Sequence, residues 1–461
     1  MLAKFKKKYI GDWDFYQKYL LLAIPMILQN AITNLVSFLD NIMVGQLGTE
    51  QMSGVAIVNQ LIFVYNLAIF GAVSAASIFG AQYFGKGNHK GHMYSFRFKL
   101  YATLLVTGGA ILLFLTKGSA LISLYLTDTV GNGATDLALQ YGLEYLAIMM
   151  VGLIPFAVNQ SYATNIKETG QTFIPMLASF VAVGTNAILD YLMIFGIGPF
   201  PELGVQGAAL ATVIARYIEA LIVVIWAHIH RGKNRYLEGA YTGFGIPLAE
   251  LKAILIKGFP LMMNEVLWAA GMTTVTQCYS VRGLDVVAGL NIASTITNLF
   301  NIVYLQLGSC ISIVVGQYLG AGKLEDAKDA DNKMIVFSVF CCVIMAALMF
   351  VGGFFPGIYN TTEEIRELAT SFIAVSAIIM PFCAFSHASY FTLRSGGKTV
   401  VTFLFDSVFT WVIVVPAAYL LAHFTGLGIV SIYFLVQGTE LIKVIIGYLM
   451  VKSNVWVVQM V

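Results

Sequence analysis

The feature that most constrains this chain is the length of its uninterrupted apolar runs. Leu100–Leu115 and Met334–Phe355 contain no charged residue and show no alternation of apolar with polar positions. An α-helix needs ~20 mostly apolar residues to cross a bilayer. Of the 461 residues, 58% are apolar and 11% are charged, whereas soluble domains run nearer ~45–50% and ~25%. A chain of this kind cannot cover itself with polar surface, so lipid must be its solvent. In lipid every backbone polar group needs an internal partner, which leaves helix bundles and closed barrels. Barrel strands alternate over ~10 residues, and these runs do not. The expected fold is an all-α membrane protein.

Twelve transmembrane helices are read at 18–44, 53–82, 97–116, 137–161, 171–196 and 205–229, then at 253–279, 287–318, 334–355, 366–393, 400–422 and 428–451. The longest polar connection, 230–252, carries Arg231, Lys233, Arg235 and Lys252. The N-terminus holds Lys4, Lys6, Lys7 and Lys8, and alternate loops are basic as well: Lys86, Lys90, Arg97 and Lys99; Lys167; Lys323, Lys328 and Lys333; Arg394 and Lys398. The opposite loops hold only Lys117, Arg282 and Arg366, beside Glu50, Asp128, Glu202 and Glu363. Cytoplasmic loops are the ones enriched in Lys and Arg, so both termini are expected in the cytoplasm, and an even helix count fits this. The first run ends in Asp40-Asn41 rather than in a small-residue cleavage site, so it reads as a span and not as a signal peptide. All five cysteines fall inside apolar runs and read as core residues. A net charge of +2 without a long basic tract points away from nucleic acid as a partner.

The two sets of six helices repeat one another. A shift of 235 residues places Pro25 on Pro260, Gly48 on Gly283, Gly54 on Gly289, Gln82-Tyr83-Phe84-Gly85 on Gln317-Tyr318-Leu319-Gly320, and Gly87 on Gly322. A shift of 228 pairs Ser161-Tyr162 with Ser389-Tyr390, and one of 224 pairs Leu203-Gly204 with Leu427-Gly428. The expected organisation is an N-lobe at 1–229, a cytoplasmic connector at 230–252 and a C-lobe at 253–461. Six is even, so the lobes share one orientation about a pseudo-two-fold axis along the membrane normal, as in transporters built from parallel repeats. A membrane enzyme or receptor would need a catalytic constellation or a sizeable soluble domain, and neither is present.

Charge inside the bilayer costs at least ~2.5–3.5 kcal/mol, so the groups that carry it are usually functional or paired. The candidates within spans are Asp40, Glu144, Asp190, Arg216, Glu219, Glu265, Asp406 and Glu440, and Arg216 reads as nearly alone as a cation. Asp40 and Asp190 both lie roughly 6–9 Å below the outer ends of their helices, so they share a depth and can share a site. Asn186 is one helical turn before Asp190 on the same face, and Thr212 adds an oxygen from the next helix. Two carboxylates in a partly dry pocket repel each other, so such a site takes up a proton or a hard cation such as Na⁺. Glu265 stands mid-membrane five residues after Pro260, while its repeat counterpart is Asn30. It is the candidate acid of the second lobe. Arg216, Glu219 and Glu440 read as structural pairs, and Glu144 and Asp406 as residues near helix ends. No G-x-x-x-x-G-K loop is present, so ATP is not a direct driver and no cofactor is expected.

Taken together these residues resemble the multidrug and toxic compound extrusion family of bacterial transporters. Asp40 with Val44-Gly45-Gln46-Leu47-Gly48 is similar to that family's first-helix signature. Gly80-Ala81-Gln82-Tyr83-Phe84-Gly85-Lys86-Gly87 and its echo at 315–322 resemble its loops after the second and eighth helices. Asn186-Ala187-Ile188-Leu189-Asp190 and Gly204-Val205-Gln206-Gly207-Ala208-Ala209-Leu210-Ala211-Thr212 resemble its fifth and sixth helices. The resemblance implies a monomeric inner-membrane antiporter that exports organic, often cationic, molecules while H⁺ or Na⁺ moves in. It implies a first-lobe cation site of Asp40, Asn186, Asp190 and Thr212. It also implies that Glu265 matches an acid which another branch pairs with an Asp on the tenth helix. Here that stretch offers Cys383, Phe385 and His387 and no carboxylate. Flipping of a lipid-linked precursor is the alternative within the same fold, and it would favour an interior rich in Arg and Lys.

Overall fold

The computed structural model describes residues 9–126, 134–243, 245–359 and 361–461. Lys4, Lys6, Lys7, Lys8 and Asp128 lie outside them. The helices are α1 Trp13–Gly45, α2 Thr49–Lys86, α3 His89–Ser123, α4 Ala134–Val151, α5 Leu153–Glu168, α6 Phe173–Ile194, α7 Val205–Ile229, α8 Leu248–Ser280, α9 Leu284–Gly320, α10 Leu324–Val351, α11 Glu363–Ser395, α12 Thr399–Phe424 and α13 Ile429–Lys452. Eleven of them are each long and apolar enough to cross a membrane, and the bent pair α4–α5 completes twelve as one span. Leu105, Leu112 and Leu115 on α3 are 79%, 63% and 67% exposed, an arrangement that suits lipid as the surrounding phase.

The sequence reads 137–161 as one straight helix, and the structure bends it by 44° at Gly152. Pro155 has no N–H to offer the carbonyl of Val151, which removes one rung of the ladder at the break. The continuation, α5, runs on to Glu168.

The chain forms two compact units. One comprises Ile24–Gly80 and His89–Lys252; the other comprises Met1–Ala23, Ala81–Asn88 and Ala253–Val461. In the first, Val55, Val58 and Ile62 of α2 pack with Leu146 and Met149 of α4 and with Ala209 and Val213 of α7. In the second, Val286 and Ala293 of α9 pack with Phe372, Ile373 and Ala377 of α11 and with Ile432 and Val436 of α13.

The repeated glycines do paired work. A methyl group at Gly54 would stand 2.5 Å from the Ala138 carbonyl oxygen, and one at Gly289 would stand 3.2 Å from Leu368 Cβ. Each lets neighbouring helices approach, as small residues do in membranes. Gly87 and Gly322 both end their helices at φ +73°, the left-handed conformation that glycine adopts without strain. Within the second unit the two Gln-Tyr-x-Gly turns meet reciprocally. A methyl at Gly85 would lie 1.9 Å from the Gln317 carbonyl oxygen, and one at Gly320 would lie 1.9 Å from that of Gln82.

The connector after α7 is pinned to α3. Arg97 donates to the carbonyls of Ala240, Gly245 and Gly239 at 2.9, 2.8 and 2.6 Å. Lys99, which the sequence groups with the cytoplasmic charges, is fully buried. Its Nζ lies 2.5 Å from both Glu168 Oε1 and Asn165 Oδ1, and His92 Nε2 lies 3.2 Å from Glu168 Oε2. About two and a half turns of α3 separate Lys99 from Lys90, which places it past the end of the loop.

Candidate ion-coupling site

Asp40 lies on the last turns of α1 and Asp190 on the last turn of α6, within the same unit. Their carboxyl groups are direct neighbours. Asp190 is 1% exposed. Both of its oxygens, and Oδ1 of Asp40, are buried with no hydrogen bond of normal geometry among the described residues. Asn186, one turn back on α6, neighbours Asp190 and donates from Nδ2 to Thr212 Oγ1 of α7 at 3.4 Å. All four residues of the first-lobe candidate set therefore come together. The two carboxylates that the sequence reads at one depth are neighbours in the structure.

The site has a wall that sequence reasoning missed. Tyr145 of α4 is buried within electrostatic reach of Asp40, Asp190 and Arg216, and its hydroxyl donates to Asn59 Oδ1 at 3.3 Å. Nothing in the local pattern separates it from the chain's other tyrosines. Next to it, Tyr65 bonds Thr107 Oγ1 at 2.8 Å and donates to the Leu153 carbonyl at 3.0 Å. Arg216 donates to the Gly152 carbonyl at 3.4 Å and stands 5.2 Å from the centre of the Phe156 ring. It thereby adds a second donor to the Gly152 carbonyl, which also accepts from the Phe156 N–H at 3.4 Å beside the α4–α5 bend. Glu219 accepts a hydrogen bond from Ser179. Glu144 is a surface residue bonded by Gln140 and Gln206 at 3.0 and 3.2 Å.

The donor set around Asp40 and Asp190 consists of carboxylate, amide and hydroxyl oxygens, the ligands of a hard cation. Among the described residues no cluster of three or more His, Cys, Asp or Glu side chains has the arrangement of a metal site. The set fits Na⁺ or a proton better than a transition metal.

In the second unit Glu265 of α8 stands within electrostatic range of Asp406 and Arg394. Asp406 corrects the sequence reading. It is an interior residue of α12 whose Oδ1 lies 2.7 Å from Lys443 Nζ on α13. Lys443 went unnoticed in the sequence, and Arg216 is not so isolated as a cation within spans. The signal was available: Lys443 interrupts an apolar helix three residues after Glu440.

With this geometry in place, comparison with known proteins is decisive. The MatE family model matches residues 25–192 and 260–420. The chain belongs to the MatE family. The two matched stretches open on the repeated prolines Pro25 and Pro260 and contain Asp40, Asn186, Asp190 and Glu265, with Thr212 just beyond the first. Among curated relatives of this MatE chain, a probable multidrug resistance protein NorM of Thermotoga maritima is 24% identical over 416 residues, covering 89% of this chain and 86% of the relative. A protein of the same description from Listeria innocua is 25% identical over 417 residues, covering 90% and 89%. Among solved structures, a MOP superfamily transporter from Pyrococcus furiosus, described as having a binding pocket of reverse polarity, aligns with a TM-score of 0.85 at 20% identity over 96% of both chains. An outward-facing multidrug resistance MATE transporter of the same superfamily aligns with the same score, identity and coverage. At that identity the structural likeness speaks for the fold.

Proposed function

We propose that this MatE chain is a cation-coupled antiporter that exports organic, often cationic, small molecules by alternating access across the cell membrane, with both termini in the cytoplasm. The observation that carries the reading is the direct juxtaposition of two carboxylates, the buried Asp190 and the partly buried Asp40, on different helices of one unit. Like charges brought together out of water cannot both persist uncompensated. A proton or Na⁺ arriving from outside relieves the repulsion and draws α1 toward α6, with Asn186 and Thr212 completing the oxygen ligands. An ion can drive export only if it binds the cargo-poor state more tightly than the cargo-loaded one. In that cycle ion binding repacks α1, lowers affinity for the cargo and releases it outward. Relatives named as multidrug resistance proteins support the cargo class. A precursor flippase would need free interior cations, whereas Arg216 serves the Gly152 carbonyl and Lys443 is neutralised by Asp406.

The test is ethidium efflux from loaded vesicles under an imposed pH gradient or Na⁺ gradient, for wild type, Asp40→Asn and Asp190→Asn. Efflux driven by one gradient and lost at least tenfold in both variants supports coupling at this pair and identifies the ion. Variants that export at the wild-type rate would remove the pair from the mechanism.

A further inference from the structure

Two departures from regular helix geometry meet inside the second unit. Along α12 the backbone winds into π-helical turns at Leu404–Val408 and Thr410–Val414. Helix α13 is interrupted at Thr439, between Ile429–Gly438 and Glu440–Lys452. Such irregularities within a membrane cost backbone hydrogen bonds and cluster at binding sites. Asp406 and Lys443 lie on these two segments, with side chains 16% and 8% exposed. The Lys443 ammonium lies 2.7 Å from Asp406 Oδ1, 5.5 Å from the centre of the Phe405 ring and 5.8 Å from that of Phe409. Asp406 Oδ2 accepts from Asn264 Nδ2 at 3.1 Å, which fixes the carboxylate in place. A carboxylate flanked by two aromatic rings is the chemistry that recognises an organic ammonium ion.

The fold does not require this box, because the other unit manages without it. The repeat shifts of 235, 228 and 224 place Gln29 opposite Asn264, Ser179 opposite Ser407 and Glu219 opposite Lys443. Both units join their three helices through that polar node. Gln29 donates to Ser179 at 2.7 Å and Ser179 bonds Glu219 in one; Ser407 bonds Asn264 at 2.8 Å and Asn264 bonds Asp406 in the other. Opposite Phe405, Asp406 and Phe409 stand Leu177, Ala178 and Val181. The carboxylate at 406 and both rings thus have no counterpart at the matching positions of the first half, at a place where a buried ion pair is costly and a hydrophobic replacement often serves as well.

We propose that Phe405, Asp406 and Phe409 form a binding site for organic ammonium ions, with Lys443 as its tethered occupant. A cationic cargo displaces the lysine, and the returning lysine expels the cargo. This rests on the reading of the chain as a carrier of organic cations, but it is tested by equilibrium binding, which needs no gradient and no coupling at Asp40.

The probe is tetraethylammonium chloride, titrated calorimetrically into full-length protein in detergent against NaCl at equal ionic strength. Lys443→Met, which keeps the stem and removes the competing charge, is expected to bind the probe at least tenfold more tightly than wild type. The gain should vanish in Lys443→Met/Asp406→Asn, an uncharged pair that controls for folding. Phe405→Leu/Phe409→Val installs residues the other half already tolerates, and it should weaken wild-type binding at least tenfold while leaving the melting temperature within a few degrees. A folded Lys443→Met with no gain, or aromatic variants that bind like wild type, would overturn the site. Wild-type ethidium efflux that persists in either of those cases leaves the export reading standing without it.

Discussion

At the scale of single residues, five of the acids in the interior have identifiable partners. Asp40 and Asp190 have each other, Asp406 has Lys443, Glu168 has Lys99 and His92, and Glu219 has Ser179. Only the first pairing sets like charge against like, which is why it reads as a site for a mobile cation. Tyr145 stands within electrostatic reach of that pair, and Tyr145→Phe removes one neutral hydrogen bond, to Asn59, worth about 1 kcal/mol. The expected outcome is a loss of about fivefold in apparent affinity for the coupling ion with an unchanged fold, measured as the ion concentration giving half-maximal efflux. The Lys99–Glu168 pair is structural by contrast. Lys99→Met removes the lysine partner of the buried Glu168 carboxylate and should cost about 3–5 kcal/mol, whereas Lys99→Met/Glu168→Gln should recover most of the loss. Thermal unfolding of the purified variants in detergent checks both outcomes. Legibility differed between these residues for a physical reason. Depth along a helix can be counted from sequence, so Asp40 and Asp190 were found together. The angular position that joins Asp406 to Lys443 depends on π-helical winding, which apolar periodicity does not encode.

At the scale of elements, proline and glycine decide where helices bend, stop and touch. The α4–α5 bend follows from Gly152 and Pro155, yet the apolar run passes through both without a break in composition, so it reads as one straight span. The repeated Gly-to-Gly matches were legible as a pattern, but their separate duties as turn and contact residues emerge only from the packed backbone. Gly320→Ala would push a methyl into the Gln82 carbonyl at 1.9 Å, and neither partner is a flexible side chain that can give way. The expected cost is about 1–3 kcal/mol, in the range of overpacked interiors, and Gly85→Ala should match it. Gly108→Ala, where nothing lies within 4 Å, should be neutral or stabilising by up to about 1 kcal/mol through helix propensity. Melting temperatures of the three variants side by side separate contact from propensity.

At the scale of the whole molecule, composition and run length were enough to specify helices in lipid, and a repeat of glycines and prolines was enough to specify two homologous halves. What composition could not supply was how the chain is shared out in space: residues 9–23 and 81–88 group with the helices after residue 253. The reciprocal seat of Gly85 on Gln317 and of Gly320 on Gln82 has an evolutionary meaning. A contact that reads the same from both sides is what a symmetric dimer of a six-helix ancestor would possess. In such a dimer one mutation strikes both seats at once and must be tolerated twice. Two halves joined in one chain have no such link, so each is free to change alone. The box around Lys443, absent from the first half, is the kind of novelty that this freedom permits.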